Sequence, residues 1–335
     1  MKRVLVIGTG GIGKRHIRGL LRTGRATLDF VEPDAARRAE AVAAYGPNAS
    51  FASLQEADLP HYDVAFICAP GHTHAAIMTT CAHAKLPFLV EKPLAVTMDG
   101  VDTALAEVRA AGIPARIGYI RRIAPEVNAL RNQILAGKIG TLHLAYLNAS
   151  QEFPKYRPDY RETYYARAEM GGGAILDAAS HSIDMLIWIL GRPVTVMAMY
   201  DRLVLQGIET EDTCLISIRF ESGAMANLTL NQFQKPNIAL AEFIGTRGNL
   251  RLEHSTLGFA DDDSGQWKDP TDFMQGMAPM EAHEARFALQ ASEMLDLIEG
   301  GPCRLATLEE GRLTLQVALA AKQSWRERRI IDIEV

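Results

Sequence analysis

Three groups of residues have the types and the spacing to do chemistry. Lys92 lies in the run Phe88-Leu89-Val90-Glu91-Lys92-Pro93, where a short apolar stretch of strand character breaks at Glu-Lys-Pro. Ligands of open α/β sheets bind beyond the carboxyl ends of the strands. A lysine at such an end can exchange a proton with something bound; the plain alternative is a surface lysine paired with Glu91. The second group is Asp177, His181 and Asp184, spaced i, i+4 and i+7 just after Gly171-Gly172-Gly173. On a helix these three share one face. Two carboxylates and an imidazole there suit an acid–base relay or a metal site, against the alternative of a histidine satisfied within a core. The third group is Gly8-Thr9-Gly10-Gly11-Ile12-Gly13, directly behind Val4-Leu5-Val6-Ile7.

That third group is a strand entering G-x-G-x-x-G, with Lys14 to Arg22 reading as the helix that follows. Gly8 permits the tight turn, Gly10 lets a pyrophosphate approach the backbone, and Gly13 lets the helix pack on the strand. The helix N-terminus supplies N–H groups and positive potential. An acid about 20 residues further on should hold the adenosine ribose, and Glu32 stands at the end of the second strand-like run. Its carboxylate would accept both ribose hydroxyls and repel a 2′-phosphate. Pro33 and Asp34 follow it, while Arg37 and Arg38 lie a helical turn further on and are expected to face solvent. NAD is therefore favoured over NADP. With a nicotinamide ring nearby, the ring's charge and a low-dielectric cleft would lower the pKa of Lys92 and fit it for proton transfer near neutrality.

The elements that must position these groups fall into two styles. Up to about Gly118, β-branched runs (Val4 to Ile7, Leu28 to Val31, Val64 to Ala69, Phe88 to Val90, Ala115 to Ile117) alternate with helical stretches such as Ala35 to Tyr45 and Val101 to Ala111. Such alternation implies βαβ units and a parallel sheet. Beyond Arg121 come a helix over Pro125 to Ala136, a strand over Thr141 to Ser150 and a helix over Ile175 to Leu190. Five strand-like runs between Val194 and Leu252 follow, joined by short turns such as Glu221-Ser222-Gly223, as in antiparallel hairpins. Two helices, Glu281 to Glu299 and Thr307 to Arg326, complete the chain, and Asp261 to Met280 reads as a mobile surface loop. The expected fold is an α/β Rossmann domain over residues 1–120 plus an α+β domain with an open, mostly antiparallel sheet over 121–335.

Composition narrows the function. Thirty-five Lys and Arg against 40 Asp and Glu leave a net charge of -5, which argues against a nucleic-acid footprint. No run approaches the roughly 20 apolar residues that span a bilayer, and the glycines after Ile7 cut short any signal-peptide core. Cys68, Cys81, Cys214 and Cys303 are scattered, unlike a zinc or disulfide framework. A cytoplasmic, soluble protein with no membrane partner is the expectation.

Taken in order, Gly8 to Gly13, Cys68-Ala69-Pro70-Gly71-His72-Thr73-His74, Glu91-Lys92-Pro93, Gly137-Lys138-Ile139-Gly140 and Gly171-Gly172-Gly173 with Asp177 and His181 resemble the glucose–fructose oxidoreductase / inositol dehydrogenase / rhizopine-catabolism (Gfo/Idh/MocA) oxidoreductase family. The resemblance runs over nearly the whole chain. It implies NAD(P)-dependent redox chemistry on sugars or polyols, and homodimers or homotetramers packed through the open sheet. It also implies that Lys92 is the catalytic lysine, and that Asp177 and His181 orient the substrate and relay the proton without a metal. By the same resemblance the cofactor lies against Gly8, Gly10, Gly11, Ile12, Gly13, Glu32, Ala69, Pro70, His74, Glu91 and Lys92, and Tyr119 and Arg122 touch the substrate pocket; for His74 a helix-capping or packing role is the alternative.

Lys155 to Tyr165, rich in Tyr and Arg, lies just before the triple glycine. Tyr156 could stack on a sugar ring and Arg157 could fork onto a carboxylate or phosphate; a surface or interface loop is the alternative. The leading expectation is an NAD-dependent dehydrogenase of a sugar, polyol or sugar-derivative hydroxyl, with Lys92 as acid/base. A redox-neutral lyase or glycosidase that recycles NAD, and a cofactor-binding sensor without catalysis, are the rivals.

Overall fold

The computed structural model describes residues 1–334. It divides into two compact units, one of Met1–Ile123 with Met277–Arg312, the other of Ala124–Gly276 with the chain from Leu313 onward. The first boundary lies beside the break in sequence style at residue 120. Residues 277–312, which the sequence alone groups with the C-terminal domain, belong with the first unit.

In the first unit, β1 (Lys2–Ile7), α1 (Gly11–Thr23), β2 (Ala26–Val31), α2 (Ala35–Tyr45), β3 (Ser50–Phe51), β4 (Val64–Ile67), α3 (His74–His83), β5 (Phe88–Val90), α4 (Val101–Ala111) and β6 (Ala115–Ile117) follow in turn. The six strands form one sheet in the order β3-β2-β1-β4-β5-β6, and every pairing is parallel. Val4, Leu5, Val6, the whole of β4 and the whole of β5 are 0 % exposed. Burial on both faces explains their continuous apolar runs. The strand order reverses between β1 and β4, and the crevice beyond that switch point is the ligand position of doubly wound sheets.

The second unit holds α5 (Pro125–Leu135), β7 (Leu142–Asn148), the short α6 (Phe153–Tyr156), α7 (Ser180–Leu190), β8 (Pro193–Asp201), β9 (Thr213–Phe220), β10 (Met225–Asn231), β11 (Leu240–Gly245), β12 (Gly248–Glu253), β13 (Thr256–Ala260) and β14 (Lys268–Asp272). Helix α8 (Pro279–Ile298) packs in the first unit, α9 (Leu308–Glu327) passes from one unit to the other, and β15 (Ile331–Asp332) ends the described chain. The nine strands run β14-β13-β12-β11-β7-β10-β9-β8-β15. Only β7 with β10 is parallel. The rest pair antiparallel. Alternation on β8 to β10 puts Ala198, Ile216, Ile218 and Leu228 inside and leaves Met197, Met199, Leu215 and Met225 exposed.

Two local expectations change. The stretch from Asp261 to Met280 is not all loop, because it contains β14, which pairs with the preceding β13. The helix expected from Ile175 opens as a π-helical turn over Ala174–Ala179, where the Ser180 N–H donates to the Ile175 carbonyl five residues back. Ala168–Leu190 is also long and apolar enough to cross a membrane by composition, but 72 % of the apolar window is buried inside the protein, as in a core helix. All four cysteines are free.

Candidate functional site

In the first unit the glycine loop joins β1 to α1, and each glycine has its own reason. Gly8 has φ +96, and a Cβ there would lie 2.7 Å from the Cys68 carbonyl oxygen. A Cβ on Gly13 would lie 2.0 Å from the Gly8 carbonyl oxygen. Gly10 and Gly11 differ, since a Cβ at either would meet nothing within 4 Å. Nothing in the chain requires those two to be bare, so they form a cradle that a side chain would fill and an incoming phosphate can reach. The first turn of α1 carries no acidic residue, so its positive end is not neutralised.

Glu32 follows β2 and is 6 % exposed. Its Oε2 accepts the Thr9 N–H at 2.9 Å and the Thr9 hydroxyl at 3.2 Å, and its Oε1 accepts the Asp34 N–H at 3.1 Å. The carboxylate is thus tied to the glycine loop itself. Arg37 points outward with its Nε 3.9 Å from Glu32. Arg38 departs from expectation, because its guanidinium turns back and donates to the Glu32 carbonyl at 2.6 Å.

Glu91, Lys92 and Pro93 follow β5 at the same carboxyl edge. Lys92 is half-buried, and Glu91 is 4 % exposed. Glu91 Oε1 lies 2.6 Å from His16 Nε2, and its Oε2 accepts the Lys92 N–H at 3.1 Å. His74, at the start of α3, is 1 % exposed. Its Nδ1 lies 2.9 Å from the Pro93 carbonyl and its Nε2 2.8 Å from the Ala69 carbonyl. Burial pulls the His74 pKa below its usual value, opposed by those carbonyls and by Glu91. Both ring nitrogens face backbone, so His74 ties the loop after β4, with Ala69 and Pro70, to the turn after β5.

Tyr119 and Arg122 are 1 % and 2 % exposed. The Arg122 guanidinium donates to Glu310 Oε1 at 2.6 Å. Burial pushes the Glu310 carboxyl up, but Arg122 outweighs it and holds the group below the usual range. Arg122 therefore carries an ion pair within the unit.

In the second unit the triple glycine leads into the π-helical turn. Asp177 and His181 are half-buried, while Asp184 is 0 % exposed. The structure keeps Asp177 and His181 on consecutive turns and puts Asp184 in the interior. Asp177 Oδ1 accepts the Tyr164 hydroxyl at 2.7 Å. The entry to this helix is held by Glu211, which is 5 % exposed. Its Oε1 accepts the Ile175 N–H at 2.9 Å, its carbonyl accepts the Ala174 N–H at 2.8 Å, and its Oε2 lies 3.1 Å from Lys322 Nζ.

The Tyr- and Arg-rich segment splits in two. Tyr160 and Tyr165 join Phe153, Ala166, Leu205 and Ile208 in a small core. Tyr156 and Tyr164 are each 43 % exposed. The Tyr156 hydroxyl accepts from Asn237 at 2.8 Å, and Arg157 lies beside it, donating to the Tyr156 carbonyl at 3.3 Å. Among the described residues no group of three or more His, Cys, Asp or Glu is placed to hold a metal ion.

Sequence reasoning passed over His16, Thr9 and Glu211. His16 had a signal, a polar ring beside Ile17 on the buried face of α1. Glu211 had none, because a Glu-Asp pair before a strand looks like an ordinary turn.

Comparison with known proteins agrees with this architecture. Residues 2–119 match the model of an oxidoreductase family with an NAD-binding Rossmann fold, and residues 127–251 match the GFO/IDH/MocA C-terminal domain. An uncharacterized oxidoreductase of Bacillus subtilis, YrbE, is 27 % identical over 95 % of this chain and 93 % of its own. The myo-inositol 2-dehydrogenase of Thermotoga maritima is 25 % identical over 99 % of this chain and 98 % of its own. A levoglucosan dehydrogenase solved with NADH and levoglucosan superimposes with a TM-score of 0.87 at 21 % identity, covering all of both chains, which speaks for the fold. With residues 2–119 and 127–251, well over half of the chain, matching the two domain models of one family, this protein belongs to the Gfo/Idh/MocA oxidoreductases and is an NAD-binding dehydrogenase.

Proposed function

We propose that the protein oxidises a secondary hydroxyl of a sugar, polyol or sugar derivative, with Lys92 as the acid–base group. The observation that carries this reading is the position of Lys92. It follows β5, two strands from β1 in the order β1-β4-β5, at the carboxyl edge that also bears the glycine loop. Bound NAD supplies the hydride acceptor. Gly10 and Gly11 admit its pyrophosphate, and the buried Glu32 holds the ribose hydroxyls. Lys92 takes the hydroxyl proton as the carbinol carbon is oxidised, and returns it in the reverse direction. Asp177 and His181 hold the reacting hydroxyl and pass the proton on, with Tyr164 fixing the Asp177 carboxylate. The names of the inositol and levoglucosan dehydrogenases support the polyol and sugar class.

The exposed Met197, Met199, Leu215 and Met225 on the outer face of the open sheet support assembly of two or four copies through that face.

The test is purified protein with NAD, and separately NADP, against inositols, hexoses, sugar acids, anhydrosugars and nucleotide sugars, followed by absorbance of the reduced nicotinamide. Turnover lost in Lys92→Ala, with NAD binding intact, supports the assignment. A Lys92→Ala variant that keeps turnover overturns it. Substrate consumed without net NADH would point instead to a redox-neutral reaction.

A further inference from the structure

We propose that His16 is a positioning residue for Lys92, acting through the carboxylate of Glu91. His16 lies inside α1, the helix whose N-terminus carries the glycine loop, and is 0 % exposed. Its ring sits between Phe66, at 5.4 Å and 60°, and Phe287, at 5.1 Å and 89°. Between these two rings its Nε2 lies 2.6 Å from Glu91 Oε1. Nδ1 is buried with no hydrogen-bond partner. A buried N–H without an acceptor is costly, so the proton is assigned to Nε2, which donates to the carboxylate.

Glu91 transmits that constraint. Its Oε2 accepts the backbone N–H of Lys92 at 3.1 Å, so one carboxylate bridges α1 and the residue that carries the amine. The carboxylate is wedged against Gly118, where a Cβ would meet Glu91 Oε1 at 2.8 Å. His74 holds the other flank, through the Pro93 carbonyl at 2.9 Å. The side chain of Lys92 therefore starts from a backbone fixed on both sides, and one of the fixings belongs to the helix that begins at the cofactor loop. A displacement of about 1 Å at a reacting group can cost about 100-fold in rate, which is the reason for so rigid a mount.

The inference rests on the proposed role of Lys92 for its kinetic arm only; its structural arm needs no substrate. Lysines are reductively methylated with 13C-formaldehyde, and the Lys92 signal is assigned by its loss in Lys92→Arg. In His16→Leu that signal should move to the position and sharpness of exposed lysines. In His16→Gln, whose amide nitrogen matches Nε2, it should stay. His16→Asn, whose amide matches Nδ1 instead, should behave like His16→Leu, and this pair of amide variants decides the matter if the leucine variant does not fold. On any substrate turned over, kcat should fall about 10- to 100-fold in His16→Asn, with the Kd for NAD held within about twofold and most of the rate recovered in His16→Gln. A Lys92 signal that is the same in the Asn and Gln variants overturns the proposal. Turnover surviving in Lys92→Ala would sink the acid–base reading and leave the NMR arm standing.

Discussion

The carboxylate of Glu211 occupies the place where a side chain on Gly173 would begin. All three terminal atoms of Glu211 lie 2.7–2.9 Å from that point, and Gly173 has φ +94. The glycine is bare because an acid from another element caps the helix start in its stead. Gly173→Ala should therefore both strain the backbone and push Glu211 off the Ile175 N–H. We expect a loss of about 1–3 kcal/mol from the backbone alone, read by thermal or urea unfolding. An unchanged stability would show that the helix entry can relax.

Glu211 and Lys322 form a pair with 5 % and 19 % of their side chains exposed. Removing one partner of a buried pair costs about 3–5 kcal/mol, and partial exposure of Lys322 puts this pair at the lower end. Glu211→Ala should destabilise more than Lys322→Met, since it also frees the Ile175 N–H. The double variant should lose less than the two added together. Additive losses would show that the two groups act independently.

Glu32 is the cofactor discriminator in the proposed function. Glu32→Gln removes the charge that repels a 2′-phosphate and keeps an acceptor for Thr9. The ratio of kcat/KM for NAD over that for NADP should fall by about tenfold or more, about 1.4 kcal/mol. An unchanged ratio would move discrimination elsewhere, Arg37 and Arg38 being the groups at hand.

The Arg122–Glu310 pair has a pH signature. The carboxyl of Glu310 is held below its ordinary value of 4.5, so the native state binds this proton less readily than the unfolded chain. Its contribution is complete above about pH 4.5 and is lost as pH falls through the lower, folded value. Glu310→Gln should flatten the acid limb of melting temperature against pH below 4.5 and lower stability at neutrality. Parallel acid limbs for the two proteins would refute the linkage.

The outer face of the open sheet can be tested by mass. Met199 faces Leu215 across β8 and β9, and they are 52 % and 39 % exposed. Met199→Glu with Leu215→Arg should reduce the particle measured by light scattering to the 36.7 kDa chain. A wild-type protein already at that mass would remove the interface.

The sequence by itself determined the two styles of fold and singled out three candidate groups for chemistry. Parallel strands buried on both faces must be continuously apolar, so Val4 to Ile7 and Phe88 to Val90 announced themselves. The bare, open backbone at Gly10 was legible too, from the glycine spacing behind β1. The place of Lys92 after β5 was legible because Glu-Lys-Pro interrupts an apolar run where a strand must end. What only the tertiary structure decided are the contacts between residues far apart in the chain. His16 with Glu91 and Gly173 with Glu211 meet across 75 and 38 positions respectively, and no local pattern encodes such a meeting. Residues 277–312 read as C-terminal helix yet pack in the first unit, because the apolar face of α8, with Phe287, Ala291, Met294 and Leu295, completes that unit's core. Tyr160 and Tyr165 became core and Tyr156 and Tyr164 surface for the same reason: composition supplied the aromatics, and only packing chose which of them would meet water.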